Sequence, residues 1–330
     1  MVQHAIEPTV GFSDSGWQQQ WLWVDGEMRP WDQVTMPLTQ ATWSGLSAVF
    51  EGIKGYRSAK GVLHIFGLRA HLNRLQNSIT FMRLRSRWSS EELAEASIAS
   101  LKANGIDGDC YIQPVAAPVP PASGLYAPPI VDDEARVYIP VAPRPSLLLT
   151  ERALRCNVTS WTRISDRSLP PRIKAVPNYQ NSRIAHLDSK LSGFDSPIFL
   201  NDRGTVAEGP GSCIAIVRGG EVITPPVTAG ILESITRAFL LELIPAVLGM
   251  PVVEREIDRT ELYFADEAFF VGTGAEINPI THIDHYRVGT GEIGAFTRRI
   301  QRAYDDAIRA ADSRWRHWLT PFRLPSLARS

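Results

Sequence analysis

Short apolar runs closed by glycine or proline alternate with amphipathic helical stretches along the whole chain, and this alternation restricts the fold more than any other feature. In the first half, Trp21–Val24, Cys110–Val115 and Val137–Ala142 suit buried strands. Leu68, Leu72, Leu75, Ile79 and Met82 recur at spacings of four, three, four and three, which lays one apolar stripe on a helix from about Leu68 to Leu84. Ser89 with Glu92 has the pattern of a capping box for a second helix, which Gly105 stops. The second half carries strand candidates at Ala153–Thr159, Pro197–Asn201, Cys213–Val217, Glu221–Thr224, Val252–Glu256 and Glu267–Val271. Helices are expected near Gln180–Leu191, Ile235–Leu248 and Ile293–Arg309. Strands this short argue for a compact mixed sheet or barrel rather than a doubly wound sheet, and neither the dinucleotide G-x-G-x-x-G pattern nor a P-loop is present. At 330 residues and roughly 150 per domain, about two domains fit. The two prolines in Val141–Ser146 mark the boundary, which gives a small α/β (α+β) domain over residues 1–140, a linker over 141–150 and a larger domain over 151–330.

Charge narrows the partners. Lys and Arg number 34 against 35 Asp and Glu, so no polyanion is expected to bind and no nucleic-acid partner is implied. Cys110, Cys156 and Cys213 lie far apart without C-x-x-C spacing, which supports neither disulfides nor a metal site and suits a reducing, cytoplasmic compartment. The first twenty residues lack the basic start and apolar core of a signal peptide, and no apolar run approaches the roughly 20 residues of a membrane span. A soluble protein with no membrane partner is expected.

Several segments carry more than packing. Lys174-Ala-Val-Pro-Asn178-Tyr179 follows Pro170 and Pro171 and holds an amine on a constrained loop, where desolvation can lower its pKa as a Schiff-base nucleophile or proton shuttle requires. The plain alternative is a solvated surface lysine. In Val206-Ala207-Glu208-Gly209-Pro210-Gly211, glycines allow close backbone approach to a ligand, and a buried Glu208 could hold a cationic nitrogen; the plain alternative is a hairpin turn with Glu208 in water. Ser234-Ile235-Thr236-Arg237 opens an amphipathic helix whose free amides suit an anion, or which is simply capped by Ser234. Gly272-Thr273-Gly274-Ala275 leaves another stretch of backbone open to a ligand. Arg74, between two core leucines, either snorkels to the surface or turns into a cleft to pair with phosphate.

Taken in order, these segments resemble the fold-type IV pyridoxal-phosphate enzymes, most of all the branched-chain amino acid aminotransferases. The resemblance runs from Val24-Asp25-Gly26-Glu27 through Ala48-to-Ile53, His71-to-Leu75, Trp161, Arg163, Lys174-to-Tyr179, Ala207-Glu208-Gly209, Ile235-Thr236-Arg237, Tyr263-to-Glu267 and Gly272-Thr273 to Trp315 and Trp318. It implies a larger domain built as a pseudo-barrel, with pyridoxal phosphate between the domains and a homodimer completing each site. Lys174 would form the Schiff base and Glu208 would pair with the pyridine nitrogen. Arg74, the amides of Ile235 and Thr236, and Thr273 would hold the phosphate, while Tyr179 would contact the ring oxygen. Phe50, Tyr111, Gln113 and the amides of Gly274 and Ala275 would face an amino donor or keto acid acceptor.

Departures from the family pattern bear on substrate. Gln113 stands where the family usually has arginine, which puts glutamate as donor in question; Ser44-Gly45-Leu46-Ser47, with Trp43 just before it, replaces its His-Tyr-Gly-Thr run, a loss or shift of a bulky aromatic wall that would fit a larger or aromatic substrate. Within the fold, D-amino acid or R-selective amine transamination and an aminodeoxychorismate lyase reaction are the alternatives to L-amino acid transamination. Outside catalysis, a silent scaffold of the same fold is the alternative, and retention of Lys174, Glu208 and Arg74 together argues against it.

Overall fold

Two prolines interrupt runs of the first half that the sequence presents as single strands. The computed structural model describes residues 17–119, 123, 125 and 130–324. The first sixteen residues, on which the reading of the leader rests, lie outside them. One sheet runs Glu27–Pro30, Trp21–Val24, Asp133–Ile139, Val115–Pro118, Val49–Phe50; a second runs Val141–Pro143, Cys110–Ile112, Ile53–Arg57, Leu63–Phe66, Leu319–Phe322. Cys110–Val115 and Val137–Ala142 are therefore not single strands. Pro114 and Pro140 have no N–H to continue a ladder, and at each the chain leaves one sheet for the other. The chain also changes sheets at Glu51 and Gly52, and the Glu51 N–H donates to the Pro114 carbonyl while that of Gln113 donates to the Pro140 carbonyl.

Six helices accompany these sheets and a third among the described residues: α1 (Leu38–Ser44), α2 (Leu68–Phe81), α3 (Ser90–Ala103), α4 (Asn178–Leu191), α5 (Ile235–Leu248) and α6 (Ala295–Ile308). The stripe expected on the first long helix is the buried face of α2, with Leu68, Leu72, Leu75 and Ile79 inside. Its helix stops at Phe81, short of Leu84, which forms a two-residue strand instead. Ser89 and Glu92 make the capping box of α3. At its end Gly105, at φ +63°, allows its own N–H and that of Ile106 to reach the carbonyls of Lys102 and Leu101, the reverse turn that closes a helix on glycine. The third sheet is mixed, in the order Ser196–Leu200, Leu154–Thr162, Glu276–Ile283, Glu267–Gly272, Cys213–Arg218, Glu221–Thr224, Val252–Glu254. Its central Cys213–Arg218 strand is buried along nearly its whole length, as the continuous apolar run requires.

The two halves are joined more closely than the expected boundaries suggest. The linker expected over 141–150 opens with the strand Val141–Pro143, which belongs to the second sheet, and the tail strand Leu319–Phe322 returns to pair with Leu63–Phe66. The expected Val137–Ala142 run covers Val141 and Ala142 without showing that they join another sheet, and the tail strand shows no local periodicity, since both depend on partners far along the chain. Phe66 packs at 5.1 Å from Phe239 of α5 and 5.8 Å from Tyr304 of α6, so one apolar cluster spans both halves. Beside it, Lys54 Nζ of the second sheet meets Glu276 Oε1 of the third at 2.7 Å, with both side chains buried. Burial pulls the Lys54 pKa down and the Glu276 charge opposes it. Leu147 N–H supplies the other Glu276 oxygen at 2.7 Å. Lys54→Ala leaves that carboxylate buried without its cation, so it is expected to cost about 3–5 kcal/mol, read as a lower urea midpoint at unchanged slope. A loss below about 1 kcal/mol, the worth of an exposed pair, would contradict this interdomain role.

Candidate active site

Where the first half changes sheets, it turns a carboxylate inward. Glu51 is fully buried and accepts from Arg74 Nε at 2.7 Å, Arg74 Nη2 at 2.8 Å and His71 Nδ1 at 2.8 Å. His71 and Arg74 are one turn apart on α2, so both reach the same acceptor. Burial would raise the Glu51 pKa, but the Arg74 charge and the bonds from His71 and Arg74 outweigh it and lower it to about 2. Burial also lowers the His71 pKa, which leaves a neutral ring donating from Nδ1. The remaining Arg74 nitrogen, Nη1, donates to the Glu233 carbonyl at 2.6 Å, just before α5. Gly52 follows, and a Cβ there would stand 1.8 Å from the Tyr111 hydroxyl, so glycine is required for Tyr111 to enter the site.

Lys174 is fixed by its backbone. Its carbonyl accepts from Phe50 N–H, Val176 N–H donates to the Ala48 carbonyl, and Asn178 Nδ2 clamps the loop through the Pro170 and Ile173 carbonyls at 2.9 Å each. Lys174 Nζ donates to Tyr179 Oη at 2.5 Å and stands 4.7 Å from the Phe50 ring centroid. Desolvation lowers the amine's pKa, as the sequence led us to expect, yet Tyr179 and Glu51 outweigh it and the net shift is upward. That corrects the expectation of a lysine neutralised by burial.

Glu208 is 4% exposed, so it does not sit in water on a turn. A bridge to Cys213 and the bond from Phe199 N–H to its carbonyl hold its backbone beside the third sheet. Gly209 must lack a side chain because a Cβ would lie 2.6 Å from the Phe270 ring that packs beneath. Glu208 Oε1 pairs with Arg163 Nη2 at 2.6 Å and Oε2 accepts from Leu232 N–H at 3.3 Å. Burial raises its pKa, and Arg163 offsets only part of that. Burial likewise pushes the Cys213 thiol up to about 12, which makes it a packing group rather than a nucleophile.

These elements enclose one cavity of about 450 Å³, lined by Lys174, Tyr179, Glu208, Arg163, Arg74, Ser234, Ile235, Thr273, Gly274, Ala275, Phe50, Tyr111, Arg144 and neighbours. Ser234 caps α5 by accepting from Arg237 N–H at 3.2 Å, which leaves the amides of Ile235 and Thr236 without an intrahelical acceptor. Arg74, this helix end and Thr273 thus converge as a place for an anion.

The amino-transferase class IV family model matches residues 48–283. A probable branched-chain-amino-acid aminotransferase of Aquifex aeolicus is 35% identical over 299 residues, 90% of this chain and 95% of the relative. The branched-chain-amino-acid aminotransferase of Pseudomonas aeruginosa is 34% identical over 305 residues, 91% and 96%. The Thermobaculum terrenum branched-chain amino acid aminotransferase, solved in its PLP-form, superposes with a TM-score of 0.88 at 42% identity, covering 92% of this chain and 99% of that one. The chain belongs to the class IV aminotransferases. Such enzymes use pyridoxal phosphate to exchange amino groups between amino and keto acids. No helix among the described residues is long and apolar enough to cross a membrane.

The residues present suit that cofactor. An amine, a buried carboxylate, a guanidinium and a helix end with unspent amides line the one cavity, the donor set that an aldehyde, a ring nitrogen and a phosphate call for. Glu208 lies across the same cavity with its Arg163 partner. Thr236 and Gln113 are the expected site residues that do not line the cavity. Gln113 sits at the sheet switch before Pro114, with its N–H donating to the Pro140 carbonyl. Trp43 through Ser47 do not line it either: α1 carries no buried residue. Missed altogether as site residues were Glu51, the anchor of Arg74; Arg163, the partner of Glu208; and Arg144. Two basic residues one turn apart beside core leucines signal a buried counter-ion, which could have pointed to Glu51.

The class IV site therefore contains a stability switch. The folded pKa of Glu51, about 2, lies below its ordinary 4.5, so its ion pairs stabilise the fold above about pH 4.5, and that contribution drains away as pH falls towards 2. Glu51→Gln is expected to be less stable than the parent by about 3 kcal/mol at pH 7, with the gap closing through that window in urea titrations. A gap independent of pH would contradict the ionised Glu51.

Proposed function

We propose that this enzyme transaminates branched-chain amino acids, with Lys174 as the residue that joins the cofactor and moves the proton. One observation carries the reading: Lys174 Nζ, hydrogen-bonded to Tyr179, shares a cavity with the Glu208–Arg163 pair and the Arg74 cradle. Bound pyridoxal phosphate supplies an electron-withdrawing ring that stabilises negative charge at the substrate Cα. Glu208 holds the ring nitrogen, Tyr179 contacts the ring oxygen, and Arg74, the amides of Ile235 and Thr236, and Thr273 hold the phosphate. Lys174 Nζ, once free and neutral, would take the proton from the substrate Cα and hold it for return, a transfer of the kind that contributes about 10²–10⁴-fold. Tyr179 and Phe50 hold that amine in place, since it is bonded to one and stacked over both rings. Tyr111, Gly274 and Ala275 form the wall for the substrate carboxylate.

Names of the relatives support the substrate class, and the apolar Phe50 wall suits an aliphatic side chain. A cytoplasmic homodimer fits as well: Leu38 and Leu46, at 85% and 50% exposure, leave an apolar edge beside the altered 43–47 run that a second copy would cover. Holoenzyme mixed with leucine, isoleucine or valine without acceptor should lose its yellow absorbance in a single turnover and regain it with a keto acid. Lys174→Ala should cut that rate by at least about 10²-fold; an unchanged rate would sink the assignment.

A further inference from the structure

One cation of the cavity has no part in the cofactor contacts. Arg144 follows the strand Val141–Pro143, and its N–H donates to the Asp109 carbonyl at 2.8 Å, which fixes where its side chain starts. Its guanidinium carbon stands 4.8 Å from the Tyr111 ring centroid. A Cβ built on Gly274 would lie 3.6 Å from Arg144 Nη2 and 3.8 Å from Nη1, so the space over Gly274 opens onto the guanidinium fork. Tyr111 also ties Arg144 to the reacting amine, because burial raises the phenol's pKa while the charges of Lys174 and Arg144 both lower it. In an α-amino acid the carboxylate is borne by the carbon that bears the reacting nitrogen. A guanidinium that lines the same cavity as Lys174 is therefore placed for that carboxylate.

We propose that Arg144 binds the α-carboxylate of the amino acid and keto acid against the Tyr111 ring and the Gly274–Ala275 turn, and thereby selects carboxylated donors over plain amines. The inference rests on the transaminase reading above. A planar fork offers a carboxylate two parallel N–H donors, and stacking on an aromatic face fixes its plane.

The test compares wild-type holoenzyme with Arg144→Gln and Arg144→Lys in single-turnover reactions with leucine, glutamate and 1-phenylethylamine, and measures calorimetric binding of 4-methylpentanoate, a carboxylate with no group to transfer. In Arg144→Gln, KM should rise about 10- to 100-fold for leucine and glutamate alike, with kcat changed less. Selectivity for leucine over the amine should fall by a similar factor, the carboxylate should bind correspondingly more weakly, and Arg144→Lys should recover part of each. A defect confined to glutamate would assign the fork to a side-chain carboxylate and overturn the proposal. Equal losses on leucine and the amine, or no loss, would overturn it too. A wild-type enzyme inert towards all three donors, by contrast, removes the underlying transaminase reading.

Discussion

Lys54 and Glu276 meet at 2.7 Å inside the protein, at 2% and 1% side-chain exposure, and the cavity depends on that meeting. Neither charge tolerates the interior without the other, so the second sheet of the first half and the third sheet of the second half are held at a fixed distance. Parts of the site's walls lie a few residues before each member of this pair. Glu51 and Gly52 precede Lys54, and Thr273, Gly274 and Ala275 precede Glu276. Glu276 itself is left-handed at φ +54°, a conformation that costs a residue with a side chain about 1–2 kcal/mol. Its bonds to Lys54 and Leu147 hold it there. That turn is what presents the backbone of 274 and 275 to the cavity.

The same principle organises the rest of the site. Every buried carboxylate near the cavity is tied to a cation that the fold brings to it, Glu51 to Arg74 and Glu208 to Arg163. The pairs orient their members. Glu51 fixes Arg74 through two nitrogens and leaves the third for the segment leading into α5, so one carboxylate aligns the guanidinium with the helix end that shares its anion cradle. Burial raises the Glu208 pKa and Arg163 offsets part of that rise while it orients the carboxylate. Catalytic demand and structural demand coincide: an amine, an acid and an anion cradle are held rigidly, and the electron-accepting ring is left to the cofactor.

Local signals in the sequence made part of this legible. The α2 stripe, the α3 capping box and the helix starting after Ser234 are written within a few residues, because each depends on neighbours three or four apart. The loop lysine and the glycine-flanked Glu208 were legible because their order along the chain matches a known family. Pro114 and Pro140 were visible, but their effect was not: they end strands at points where partners such as Val49–Phe50 and Cys110–Ile112 decide which sheet comes next. Arg144 was hidden in a proline-rich stretch that reads as a linker, and only the pairing of Val141–Pro143 with Cys110–Ile112 brings it beside Tyr111. Arg163 and Glu51 escaped for a similar reason, since ion pairs between distant segments leave no periodic trace.

The account turns on which amine faces the cavity. Loading the protein with pyridoxal phosphate, reducing it with borohydride, digesting it and mapping the modified peptide by mass spectrometry asks this directly. The account predicts the reduced cofactor on Lys174. A label on Lys54, the lysine buried in the interdomain pair, or on any other lysine with Lys174 unmodified, would contradict it.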